Sequence, residues 1–149
     1  MTQKLWHNEV TWLRQKLVGD FYSSFSSSDV WQFQFSGLRL LANEFASPGE
    51  RDVESLLSSF LAGAAPVDAA DVPKAVIASS LKRKVITGVE IDVDCVLKLR
   101  FDSGGEITVP VCTDIVDWHL CFNETGRWPH EDCIVGCFTP GVLDTQIEG

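Results

Sequence analysis

The stretch "GVEIDVDCVLKLRFDSGGEITVPV", residues 88–111, decides the fold class. Val89, Ile91 and Val93 alternate with Glu90 and Asp92. Leu97, Leu99 and Phe101 alternate with Lys98 and Arg100. A period of two is that of a strand with one face buried. "DSGG", from Asp102 to Gly105, supplies a hairpin turn to a next strand with Ile107, Val109 and Val111. Further on, Trp118, Leu120 and Phe122 alternate with Asp117, His119 and Cys121. The pattern predicts a four-stranded antiparallel meander with one apolar and one charged face.

Working back toward the amino terminus, the period changes. Trp6, Val10, Leu13, Leu17 and Phe21 fall at helical spacing and predict a first helix. Gly19-Asp20 and the serine-rich "SSFSSSD" end it, because Ser and Asp favour turns. Trp31, Phe33 and Phe35 alternate with Gln32 and Gln34, and Ser36-Gly37 turns the chain into a second strand over 38–43. These two strands predict an aromatic hairpin. Ser47, Pro48 and Glu50 form a capping box for a helix whose buried face is Val53, Leu56, Leu57, Phe60 and Leu61. "AAPVDAADVP" reads as a short linker before another helix over 74–81, capped near Asp71. The tail from Thr139 reads as irregular. The expected architecture is one α+β domain over residues 1–149. An N-terminal helix and the aromatic hairpin lead to one or two helices packed on the C-terminal meander.

The 45% hydrophobic content suits a globular chain with a core of its own. The amino terminus has no apolar h-region of a signal peptide, and no run reaches the roughly 18 apolar residues of a membrane span. With five cysteines, an odd number, a reducing cytoplasm is expected, and the Asn123-Glu124-Thr125 sequon has no role there. The net charge of −9 is unevenly spread. Up to Lys84 acids and bases balance at nine each, whereas from Val85 onward twelve acids face three bases, Lys98, Arg100 and Arg127. Such a surface repels nucleic acid and anionic membrane and attracts a basic protein. Glu90, Asp92, Asp94, Asp117, Glu131 and Asp132 are the candidate contacts, with Trp128 as an apolar anchor in a loop. Lys82-Arg83-Lys84, the only basic run, reads as a solvated helix end.

A second stretch, "DWHLCFNETGRWPHEDCIVGC", residues 117–137, carries two of the three histidines and three of the five cysteines. On a short helix after Pro129, His130, Cys133 and Cys137 share one face. With His119 and Cys121 they supply enough nitrogen and sulfur ligands for zinc, which makes a zinc-stabilised module the alternative function. The spacing lacks a C-x2-C knuckle, so the expectation is no metal and no cofactor. Cys133 and Cys137 are then small core hydrophobes beside Ile134, and the histidines face solvent. Cys121 beside His119 and Asp117 is the one catalytic arrangement. Side chains two apart on a strand stand side by side, and proton transfer needs about 3 Å between donor and acceptor. Walker, G-x-G-x-x-G, H-E-x-x-H and G-x-S-x-G motifs are absent from the sequence, so no enzyme is expected.

"LKRKVITGVEIDVDCVLKLRFDSGGEITVPVCTDIVDWHLCF", residues 81–122, resembles a pattern in small bacterial proteins. There a helix ends in Leu, then come a "V…V" strand, "L-x-L-x-F-x-x-G", "I-x-V" and a strand carrying Trp. Many such proteins resemble the immunity proteins of polymorphic toxin systems. The resemblance supplies no catalytic residues. It implies a binding protein that acts as a toxin's antidote. Joined to the charge asymmetry and the free cysteines, the expectation is a cytoplasmic, non-enzymatic protein whose carboxylates cover the active cleft of a basic, nuclease-like toxin.

Overall fold

Two antiparallel sheets, of six and three strands, and the helices beside them make up the α+β fold of this computed structural model. It describes residues 7–27, 30–62, 66–110, 118–122, 133–139 and 142–145. In chain order the elements are α1 (His7–Leu17), β1 (Ser24–Ser27), β2 (Trp31–Gln34), β3 (Leu38–Ala42), α2 (Glu50–Leu56), α3 (Ser58–Leu61) and α4 (Pro66–Leu81). Then follow β4 (Ile86–Ile91), β5 (Leu97–Phe101), β6 (Glu106–Val109), β7 (Trp118–Phe122), β8 (Cys133–Thr139) and β9 (Val142–Thr145).

The aromatic hairpin forms where the alternation places it, as β2 and β3. It is part of a sheet ordered β1-β2-β3-β7-β8-β9. Cross-strand rows knit this sheet. Phe33, Leu40, Leu120 and Val135 are successive partners, and so are Trp31, Ala42, Trp118 and Cys137. All eight are buried. Ala42 sits between the two indoles, where a small residue leaves room for them. The serine-rich segment read as a turn contributes β1, paired with β2 from Ser24 to Ser27. An edge strand needs only one apolar contact, and Phe25 makes it.

The meander has three strands, β4-β5-β6. The expected fourth strand, β7, joins the hairpin's sheet instead, in register from Leu38–Phe122 to Ala42–Trp118. Alternation fixes which side chains face the core but not which strand lies alongside. The apolar faces of both sheets contribute to one core, and Tyr22 links them. Its ring meets Phe33 at 5.1 Å and Phe101 at 6.1 Å, both edge-on.

Helix α1 buries Leu13 and Leu17, which contributes about 1.5–3 kcal/mol each. Phe21, the expected end of that stripe, lies beyond the helix and is exposed. Arg14 Nε donates to the Val89 carbonyl at 3.1 Å. Gly19 and Asp20 exchange backbone hydrogen bonds with Ile86 at 2.9 Å. These contacts cover the edge of β4 that β5 leaves open.

Half of the capping box forms: Glu50 Oε1 accepts from the Ser47 N–H at 3.2 Å. Gly49 takes the N-cap place, with no side-chain cap bond. Leu56, expected in the core, is 80% exposed, because α2 is short and ends where the chain turns into α3. Helix α4 begins at Pro66, well before Lys74, and runs through Pro73. Pro suits a helix start, and burial of Pro73, Lys74, Ile77, Ala78 and Leu81 holds the rest despite the interior proline. Lys74 is buried, and its Nζ donates to the Phe45 carbonyl at 2.6 Å and to Glu50 at 2.9 and 3.1 Å. The ammonium's donors are thereby matched, which a buried cation requires. The tail read as irregular contributes β9.

The hydroxyl of Tyr22 donates to the carbonyl of Ala78 on α4. Burial pushes this phenol's pKa well above its ordinary value. A folded-state pKa above the unfolded one adds stability that is whole below about pH 10 and is lost as pH rises beyond it. Tyr22 is the only tyrosine in the chain, so its phenolate absorbance can be read alone. That absorbance should appear together with loss of folded circular dichroism, above pH 10; phenolate forming in the folded protein at about pH 10 would contradict the burial.

Candidate functional site

Strand β4 stops at Ile91 because Asp92 begins a turn. The Cys95 N–H donates to the Asp92 carbonyl at 3.0 Å, and the Asp92 N–H donates to the Val96 carbonyl at 3.1 Å. Asp92 Oδ1 accepts from the backbone N–H groups of Asp94 at 2.8 Å and Val96 at 3.0 Å. One carboxylate oxygen thus locks the loop, as Asp side chains do in turns. Cys95 closes it in the left-handed region, at φ +68°. For a side chain other than glycine this costs roughly 1–2 kcal/mol. At the tip, Val93 is 63% exposed between the exposed Asp92 and Asp94.

The turn is anchored from below. Trp118, fully buried on β7, donates its indole N–H to the Cys95 carbonyl at 2.9 Å. The Cys95 thiol is buried in the core cluster that also holds Cys137 of β8. Burial first, and the neighbouring Cys137, Asp92 and Asp94 after it, push the Cys95 pKa up to about 12. The thiol is therefore protonated and unreactive while the turn is closed.

Beside the turn lies a shallow pocket of about 280 Å³ lined by Glu90, Asp92, Val96, Lys98 and Thr108. Glu90, Lys98 and Thr108 are cross-strand neighbours. Arg100 pairs with Glu90 at 3.1 Å and with Glu106 at 3.6 Å, and Lys98 lies 3.9 Å from Glu106. Each of these solvated pairs is worth about 0–1 kcal/mol. They make this sheet face mixed in charge, and the exposed carboxylates of Asp92 and Asp94 stand at its end, on the turn. The far edge of β6 is covered at Thr108, which exchanges two 2.8 Å hydrogen bonds with Ala46.

Of the candidate contacts, the structure brings Glu90, Asp92 and Asp94 to one end of this face. They do not share a strand face as the alternation suggested, since only Glu90 lies within β4. Asp117, Trp128, Glu131 and Asp132 lie outside the described residues.

Among the described residues the candidate zinc ligands do not converge. His130 is outside the described residues. Cys133 and Cys137 belong to strand β8, not to a helix. Cys137 is the register partner of Trp118 and lies in the core, whereas His119 and Cys121 point to the other face of the sheet. Among the described residues no three His, Cys, Asp or Glu side chains are grouped to hold a metal. His119, expected in solvent, is buried, as is Cys121. Strand β7 is interior, with β3 and β8 on either side, and both its faces are covered from Trp118 to Cys121. Sequence reading missed Cys95 altogether, although an Asp-Val-Asp-Cys run between two alternating strands signals a turn.

Comparison of the chain with protein-family models, with curated proteins and with solved structures finds no match. Among the described residues, no helix is long and apolar enough to cross a membrane.

Replacing Asp92 by alanine removes both side-chain hydrogen bonds of the turn. The expected loss is about 1–2 kcal/mol in denaturant unfolding, with no change in the far-ultraviolet spectrum. Unchanged stability would show that the carboxylate does not lock the loop.

Proposed function

We propose that this chain is a non-enzymatic, cytoplasmic binding protein that presents the Asp92–Asp94 turn to a basic protein partner. The observation that carries the reading is a fixed turn with an exposed valine between two carboxylates. A turn held by its own side chain loses little freedom on binding, so less of the contact energy is spent on ordering. Val93 supplies the apolar anchor, and Asp94, Asp92 and the adjoining pocket supply the acceptors for Lys or Arg. Glu90 contributes by way of Arg100, which a partner's cation would displace or share.

The excess of acids over bases after Val85 supports a positively charged partner through steering. A nuclease-type toxin fits this description, because its cleft is built to hold phosphate. Covering that cleft with carboxylates is the action expected of an immunity protein.

The full chain, immobilised, should capture a basic protein from lysate of its native host. Raising ionic strength from about 0.05 to 0.5 M should release it. Charge reversal by Asp94→Lys should weaken the purified complex by roughly tenfold or more, and Arg51→Glu on the exposed side of α2 should not. A complex indifferent both to salt and to Asp94→Lys would overturn the reading.

A further inference from the structure

Cys95 lies in the turn between β4 and β5, Cys137 lies on β8 of the other sheet, and Trp118 is the neighbour they share. The indole of Trp118 holds the Cys95 carbonyl, and Trp118 pairs with Cys137 across β7 and β8. Both cysteines are fully buried in the same core cluster, and Cys137 is the first neighbour to act on the Cys95 thiol. Neither belongs to the binding surface. Cys95 also occupies a left-handed position that glycine fills without strain. Backbone geometry therefore does not account for a cysteine at this place. A residue kept against backbone preference points to its side chain.

We propose that Cys95 and Cys137 form a reversible disulfide that staples the Asp92–Cys95 turn to β8. The oxidant is a low-molecular-weight disulfide such as oxidised glutathione. One protein thiol, as thiolate, attacks it, forms a mixed disulfide and releases one glutathione thiol. The second protein thiol attacks the mixed disulfide, closes the Cys95–Cys137 bond and releases the other glutathione. Two protein thiols are oxidised and one small disulfide is reduced to two thiols. Reduced glutathione reverses both steps.

Both thiols are fully buried while the turn is closed, so exchange proceeds through transient opening of the turn. The bond then fixes the turn in its closed position. It joins residues 42 positions apart and restricts the unfolded chain accordingly.

The full chain is incubated in oxidised glutathione, quenched in acid, alkylated while unfolded and mapped by mass spectrometry without reduction. The expected map links Cys95 to Cys137 in most molecules, and reduced glutathione removes the link. The oxidised protein should show an unfolded population smaller by roughly a hundredfold at a fixed denaturant concentration. Cys121→Ser should keep the link. Cys95→Gly suits the left-handed position, so it should fold, and oxidation should no longer stabilise it. The proposal is overturned if Cys95 and Cys137 are recovered alkylated, carry glutathione only or join other cysteines. It is also overturned if oxidation stabilises the Cys95→Gly protein as much as the original.

Discussion

The hydrogen bond from the Trp118 indole to the Cys95 carbonyl is the constraint on which the candidate site depends. A buried indole N–H needs an acceptor, and burial without one costs about 1–3 kcal/mol. Trp118 is fully buried in the middle of the six-stranded sheet, where the neighbouring backbone groups are engaged in the ladder. Its acceptor comes from the other sheet, at the one residue of the β4–β5 turn with left-handed backbone. The bond therefore does two things. It completes the core under the turn, and it fixes where Val93 and the two flanking aspartates stand relative to both sheets.

Charge acts on top of this geometry rather than building it. Among the described residues the core is held by apolar rows, by the aromatic cluster around Tyr22 and by the matched Lys74–Glu50 contact. The exposed pairs among Glu90, Lys98, Arg100 and Glu106 add little to stability in water. Their effect is to leave the sheet face mixed in charge, while Asp92 and Asp94 stand exposed together at the turn. A charged partner would meet a directional feature there instead of a uniform field. That is the physical difference between acidity that only maintains solubility and acidity that selects a partner.

Much of this was legible in the chain, for identifiable reasons. Strict alternation at Leu97, Leu99 and Phe101, and at Trp31, Phe33 and Phe35, marks strands with one apolar face, and those faces are in the core. Neighbour relations were not legible. Nothing in the alternation of Trp118, Leu120 and Phe122 says that Leu40, rather than a residue of β6, lies beside Leu120. The burial of His119 and Cys121 follows from the same gap, because only an interior strand has both faces covered. The stretch from Cys133 to Cys137 is short and apolar, and such a run fits a strand or a helix turn equally well. The helical reading rested on Pro129 and the acids after it, and β8 is a strand because β7 and β9 pair with it. The acids of the site were visible in the sequence. The meeting of Cys95 with Cys137 was not, since it depends on how two sheets dock.

Hydrogen exchange on a Trp118→Phe variant tests the central claim most directly. Phenylalanine keeps most of the apolar contact and removes the one donor. If the indole bond holds the turn, the amides of Asp94 and Val96 should exchange on the order of tenfold faster while the β2–β3 amides keep their protection. Unchanged exchange at Asp94 and Val96, or an equal loss of protection across both sheets, would contradict the account.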